Sequence, residues 1–143
     1  MRRPVVFLLL LTAFAIGLSS CGGTEPGPEA IVESWSHAVN QGDNEAAAAL
    51  FADGAVVIQD GRRSTLAGPD EAVAFNASLP CGGRIVEQLR AGDEVTATFT
   101  LTRRPEQTCD GSGEPAVALF RITDGKITLW HQLPSPAADT QTA

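Results

Sequence analysis

Apolar positions along the first third of the chain recur with helical spacing. Ile31, Val32, Trp35, Ala38 and Val39 form one stripe, with Glu33, Ser34, His37 and Gln41 elsewhere. That pattern predicts an amphipathic helix over residues 29–41, started by Pro28 and stopped by Gly42. Asp43 is placed to cap a second helix running to about Phe51. A turn is expected at residues 52–54, and the β-branched run Val56, Val57, Ile58 predicts a strand over 55–59. Asp60-Gly61 reads as a hairpin turn with a return strand over 62–66. Gly68-Pro69-Asp70-Glu71 opens a third helix, whose apolar residues are Val73, Phe75 and Leu79, before Pro80 ends it.

Beyond Pro80 the period falls to two. Strands are predicted over 84–90 and 94–102, joined by a turn at 91–93. The second alternates Val95, Ala97, Phe99 and Leu101 against Thr96, Thr98, Thr100 and Thr102. A polar loop over 103–114 leads to two apolar strands, 116–133, joined at Asp124-Gly125. Helices first and an antiparallel meander last predict an α+β fold. The tail 135–143 has no periodicity and reads as disordered.

The N-terminus changes the picture of where this domain sits. Met1-Arg2-Arg3 is a basic start, residues 5–18 are apolar, and Ser19-Ser20 precede Cys21. The run is too short to span a membrane and reads as a signal peptide over 1–20. Leu18-Ser19-Ser20-Cys21 resembles the bacterial lipobox. The resemblance implies cleavage before Cys21, a diacylglycerol on its thiol and a lipid-anchored protein on the extracytoplasmic side of the cell membrane, partnered with the bilayer. An ordinary secreted protein with an incidental Cys21 is the alternative. Residues 21–28, rich in Gly and Pro, form a linker, and 29–134 form one domain.

Cleavage removes two of ten basic residues and none of the seventeen acidic ones, leaving a formal charge of −9. Such a surface argues against nucleic acid as a partner. The two remaining cysteines, Cys81 and Cys109, read as a disulfide in an oxidising compartment, with two free thiols as the alternative. With the turn centred near Gly92, Cys81 falls opposite about Arg103, bringing both cysteines to one end of the sheet. Two Cys and two scattered His match no common zinc spacing, and no cofactor is expected.

The chain resembles the nuclear transport factor 2-like superfamily, in its SnoaL-like and ketosteroid-isomerase-like branch. The resemblance rests on residues 31–43, 50–56, 68–72 and 120–127. It implies a cone, in which a strongly curved antiparallel sheet wraps a long N-terminal helix with two further helices beside it. The related isomerases use a carboxylate base and an oxyanion hole of a tyrosine and a protonated aspartate. Aligned on residues 51–55, the base position falls on Gln59, the aspartate position on Ala118, and the chain contains no tyrosine. That isomerase chemistry is therefore disfavoured. Asp60 and His131 are the weak catalytic candidates, for an isomerase, cyclase or hydrolase-like alternative.

The same alignment turns Ala118, Phe120 and Ile122 inward on the first strand of the last hairpin, and Thr128, Trp130 and Gln132 on the second. Val117, Leu119, Ile127, Leu129, His131 and Leu133 then face outward, an apolar face suited to a homodimer. The reverse facing, with those residues as core, is the competing reading. The expected pocket is Trp35, Gln59, Phe75, Phe99, Phe120, Trp130 and Gln132, suited to a small apolar ligand; a solidly packed cone is the alternative. These readings converge on a membrane-anchored, non-catalytic module that binds a small apolar ligand or an envelope protein.

Overall fold

The apolar stripe of the first helix becomes the axis of the molecule. The computed structural model describes residues 23–136; the expected signal peptide, Cys21 and residues 137–143 of the expected tail lie outside the described residues. Helix α1 (Pro28–Gln41) buries Ile31, Val32, Trp35, Ala38 and Val39, and Gly42 closes it in the left-handed conformation. His37 stands on its exposed side. Helix α2 (Asn44–Ala48) is capped by the Asp43 carboxylate, which accepts from the Ala46 amide at 2.9 Å. Strands β1 (Phe51–Gln59) and β2 (Arg62–Leu66), helix α3 (Pro69–Ser78), and strands β3 (Gly82–Ala91), β4 (Glu94–Thr102), β5 (Pro115–Thr123) and β6 (Lys126–Leu133) follow. Both expected Asp-Gly turns form, with φ of 51° and 71° at Asp60 and Gly61 and 51° and 73° at Asp124 and Gly125.

The six strands make one sheet in the order β2-β1-β6-β5-β4-β3. Its pairs are antiparallel except β1–β6, which runs parallel, so the sheet is mixed where the sequence suggested a purely antiparallel one. Sheet and helices together form the α+β cone. α1 lies against β3, β4 and β5, and its apolar stripe packs on Val95, Ala97, Phe99, Ala118 and Phe120.

Three local expectations are corrected. The second helix ends at Ala48, not near Phe51, because Phe51 is buried opposite Ile127 as the first residue of β1. Residues 52–54 belong to β1 and not to a turn. The register shifts between Phe51 and Val56, and Gly54, at φ 78°, accommodates the extra residues. In the last hairpin a β-bulge lies between the pairs Ile122–Ile127 and Arg121–Leu129, with Thr128 as the added residue. Thr128 therefore does not face inward as expected; its hydroxyl donates to the Arg121 carbonyl at 3.2 Å. Ile127, expected outside, is wholly buried. One added residue reverses the facing of everything on one side of it.

The bridge between Cys81 and Cys109 is formed, with Cα atoms 4.9 Å apart. Gly82 pairs with Thr102, so Cys81 follows on opposite Arg103, as read from the turn. β3 also begins earlier than expected, at Gly82, because the Gly82-Gly83 backbone pairs with β4.

Candidate functional site

The concave side of the sheet and the C-terminal half of α1 border a partly open cavity of about 160 Å³. Its aromatic walls are Trp35, Phe99 and Trp130. Trp35 is the hub: its ring lies 5.2 Å from Phe120, 6.2 Å from Phe99 and 6.3 Å from Trp130, at tilts of 53–73°. Edge-to-face arrangements of this kind suit the ring quadrupole and hold each plane in place.

One wall is thin by construction. Asn40 on α1 accepts from the Gly83 amide at 2.8 Å and donates to the Gly83 carbonyl at 2.9 Å, while Ser36 donates to the same carbonyl at 2.7 Å. A Cβ at Gly82 would sit 2.1 Å from the Asn40 side-chain oxygen, and one at Gly83 would sit 2.9 Å from the Phe99 ring. Only glycine allows strand and helix this close. Cys81, next along, also lines the cavity, so the disulfide anchors this wall to the β4–β5 loop.

A buried polar chain supports the floor. The Trp35 indole donates to Asn76 Oδ1 at 2.8 Å, and the Asn76 carbonyl accepts from Arg104 at 2.7 Å. Arg104 also donates to the Leu79 carbonyl at 3.0 Å and to Asn44 Oδ1. It is only 5% exposed, the one buried charged side chain among the described residues. Burial pushes its guanidinium below the usual arginine value. Two of its three partners are backbone carbonyls at the C-terminal end of α3, where the helix dipole favours a cation.

The expected pocket residues divide. Trp35, Gln59, Phe99, Trp130 and Gln132 come together on the cavity; Gln132 is exposed at its mouth rather than turned into the core. Phe120 and Phe75 do not line it. Phe120 is wholly buried beneath Trp35, and Phe75 packs on Trp130 at 5.2 Å and Phe51 at 5.8 Å. Asp60 is exposed in the β1–β2 turn, φ 51°. His131 sits between the cavity residues Trp130 and Gln132 and so faces the opposite, convex side, paired with Leu119 and Ile58. None of the cavity-lining residues is an acid, a histidine, a lysine or an arginine. Among the described residues no group of His, Cys, Asp or Glu is gathered to hold a metal ion.

Sequence reasoning missed Asn40, Ser36, Asn76 and Arg104, which position the walls. The Gly82-Gly83 pair at the head of a strand was the available signal, since glycine there marks a close backbone approach. Arg104 carried none, because its partners are mostly backbone carbonyls distant in sequence.

A curved mixed sheet folded over one long helix, with a cavity between them, defines the α+β cone class. The SnoaL-like domain matches residues 32–130, and the chain belongs to that family. Among solved structures, an NTF2-like protein of unknown function from Cytophaga hutchinsonii superposes with a TM-score of 0.65 at 15% identity, covering 83% of this chain and 99% of that one. A presumed polyketide cyclase from Sinorhizobium meliloti gives 0.58 at 24% identity, covering 73% and 94%. A protein with a ketosteroid isomerase-like fold from Catenulispora acidiphila, in complex with trimethylamine, gives 0.56 at 23%, covering 78% and 88%. At these identities the likeness establishes the fold. No curated protein matches the chain in sequence.

Proposed function

We propose that this protein is an extracytoplasmic lipoprotein, anchored through acylated Cys21, whose SnoaL-like domain is a non-catalytic binding module for a small uncharged ligand. The observation that carries the binding reading is a cavity whose lining contains no titratable acid or base. Acid–base chemistry needs such a group within hydrogen-bond reach of the reacting atom. An apolar chamber with two amides at hand suits binding instead. The cyclase or isomerase alternative requires Asp60 or His131 to reach the ligand, and one lies in an exposed turn while the other faces away.

Calorimetry with toluene tests this. Toluene binds the protein, Ala118→Leu abolishes binding by filling the chamber beside Trp130, and Asp60→Asn and His131→Ala leave it unchanged. Loss of binding in either of the last two variants contradicts the reading.

The anchor is supported by the apolar run ending at Cys21, and the linker before α1 separates domain from bilayer by at most about 25 Å. A mature protein whose mass lacks an acyl-bearing N-terminal Cys21 overturns it. The convex face carries Ile58, Leu119, Leu129 and Leu133 half-buried, with Leu89 on β3 61% exposed. Through these residues two copies associate back to back in this reading; light scattering that returns a strict monomer redirects the face to another envelope protein.

A further inference from the structure

Two amide side chains stand next to each other at the mouth of the cavity. β1 and β6 run in parallel register, with Val57 beside Trp130 and Ile58 beside His131, so Gln59 falls beside Gln132. The pleat puts both on the concave side with Val57 and Trp130, and both line the cavity. Gln59 is half-buried and Gln132 is exposed. Neighbouring strands lie about 4.8 Å apart, so one small group on a ligand spans the pair. Two glutamines elsewhere are engaged: Gln88 donates to Glu33 Oε1 at 3.0 Å, and Gln107 donates to the Ala77 carbonyl at 3.1 Å. The side-chain amides of Gln59 and Gln132, by contrast, bond to no other protein group among the described residues.

Behind this pair the chamber is mostly apolar, with a volume comparable to cavities that hold one aromatic ring. Its aromatic walls offer both faces and edges to a flat ring. The chemistry of the mouth is different. Each glutamine amide carries a carbonyl that accepts and an NH₂ that donates. Two such amides on neighbouring strands are matched in full by a group that itself donates and accepts. A ketone or ether only accepts, and leaves a glutamine carbonyl unmatched. A carboxylate likewise only accepts and an ammonium only donates, and the lining has no ionisable side chain to pair with either charge.

Resting on the binding reading above, we infer that the ligand class is a neutral amphipathic molecule, one apolar ring bearing a carboxamide or lactam. The ring lies in the chamber against Trp35 and Phe99, and the amide stays at the mouth. Its N–H donates to the side-chain carbonyl of one glutamine, and its C=O accepts from the NH₂ of the other. Gln59 and Gln132 are thus the specificity-determining residues of the cavity, while the aromatic walls hold whatever ring enters.

Benzamide and toluene share the ring and differ in the amide. With ¹⁵N-labelled full-length protein, both compounds perturb cavity signals. Benzamide also shifts the side-chain NH₂ resonances of Gln59 and Gln132, assigned through their own backbone signals, and toluene leaves these in place. In the double variant Gln59→Leu with Gln132→Leu, benzamide affinity falls about five- to tenfold relative to toluene, the net worth of hydrogen bonds that compete with water. If both compounds bind but benzamide moves neither NH₂ signal and keeps its relative affinity in the double variant, the amide requirement is wrong and the binding reading stands. Benzoate is the third arm, because exposed Arg62 pairs with Gln59 across β1 and β2 just outside the lining. Tighter binding of benzoate than of benzamide overturns the neutral class, the cavity remaining a binding site. If none of the three binds, the binding reading itself fails and takes this inference with it. The resonance measurement needs only the unaltered protein, so it decides the question even where the double variant does not fold.

Discussion

Trp35→Ala lowers the unfolding free energy by about 3–5 kcal/mol, the usual cost of deleting a large buried aromatic side chain. The residue is 6% exposed and touches three other rings, so no neighbour can move in without disturbing another contact. The substitution has a second cost. Asn76 is wholly buried; its side-chain nitrogen donates to the Ala72 carbonyl at 2.8 Å, and its oxygen depends on Trp35. Trp35→Phe isolates that part, keeping a ring in place while leaving the Asn76 oxygen unpaired, and is expected to cost about 1–3 kcal/mol. Urea unfolding of the three proteins checks both values. A Trp35→Phe variant as stable as the parent contradicts the role given to the Trp35–Asn76 bond. Because a domain of this size has about 5–15 kcal/mol in total, Trp35→Ala removes a large share of its stability.

Replacing Cys81 and Cys109 together by Ala costs about 3–4 kcal/mol on the chain-entropy account, for a bridge spanning 28 residues. The effect is also local. Cys81 lines the cavity and Cys109 is buried in the loop after β4, so the bridge holds the Gly82-Gly83 wall against that loop. Thermal melts are expected to show a lower transition for the double variant, matched by the parent in strong reductant, and toluene affinity falls with the loosened wall. Native protein in which Cys81 and Cys109 both react with iodoacetamide contradicts the bridge.

The elements with strong periodicity were legible because their pattern and packing agree. The stripe on α1, the alternation of β4 and the two Asp-Gly turns each reappear at the expected residues. Misreadings fall where long-range pairing overrides local preference. The run of alanines before Phe51 favours helix, yet Phe51 is taken into β1 by its pairing with Ile127. The bulge at Thr128 inverts the facing of Ile127, and alternation alone carries no mark of an inserted residue. The inner faces of Trp130 and Phe120 were readable, but which of them borders empty space was not. That depends on how closely α1 approaches β3, which Asn40 and Gly83 determine across 43 residues of chain.

The account turns on whether the space between α1 and the sheet is a chamber open to a small neutral guest. A crystal structure under xenon pressure tests this most directly, since apolar cavities of this size take up the gas. The expected result is a xenon atom bounded by Trp35, Phe99, Ala118 and Trp130. Side chains collapsed into that space, with xenon absent from it, would contradict the account.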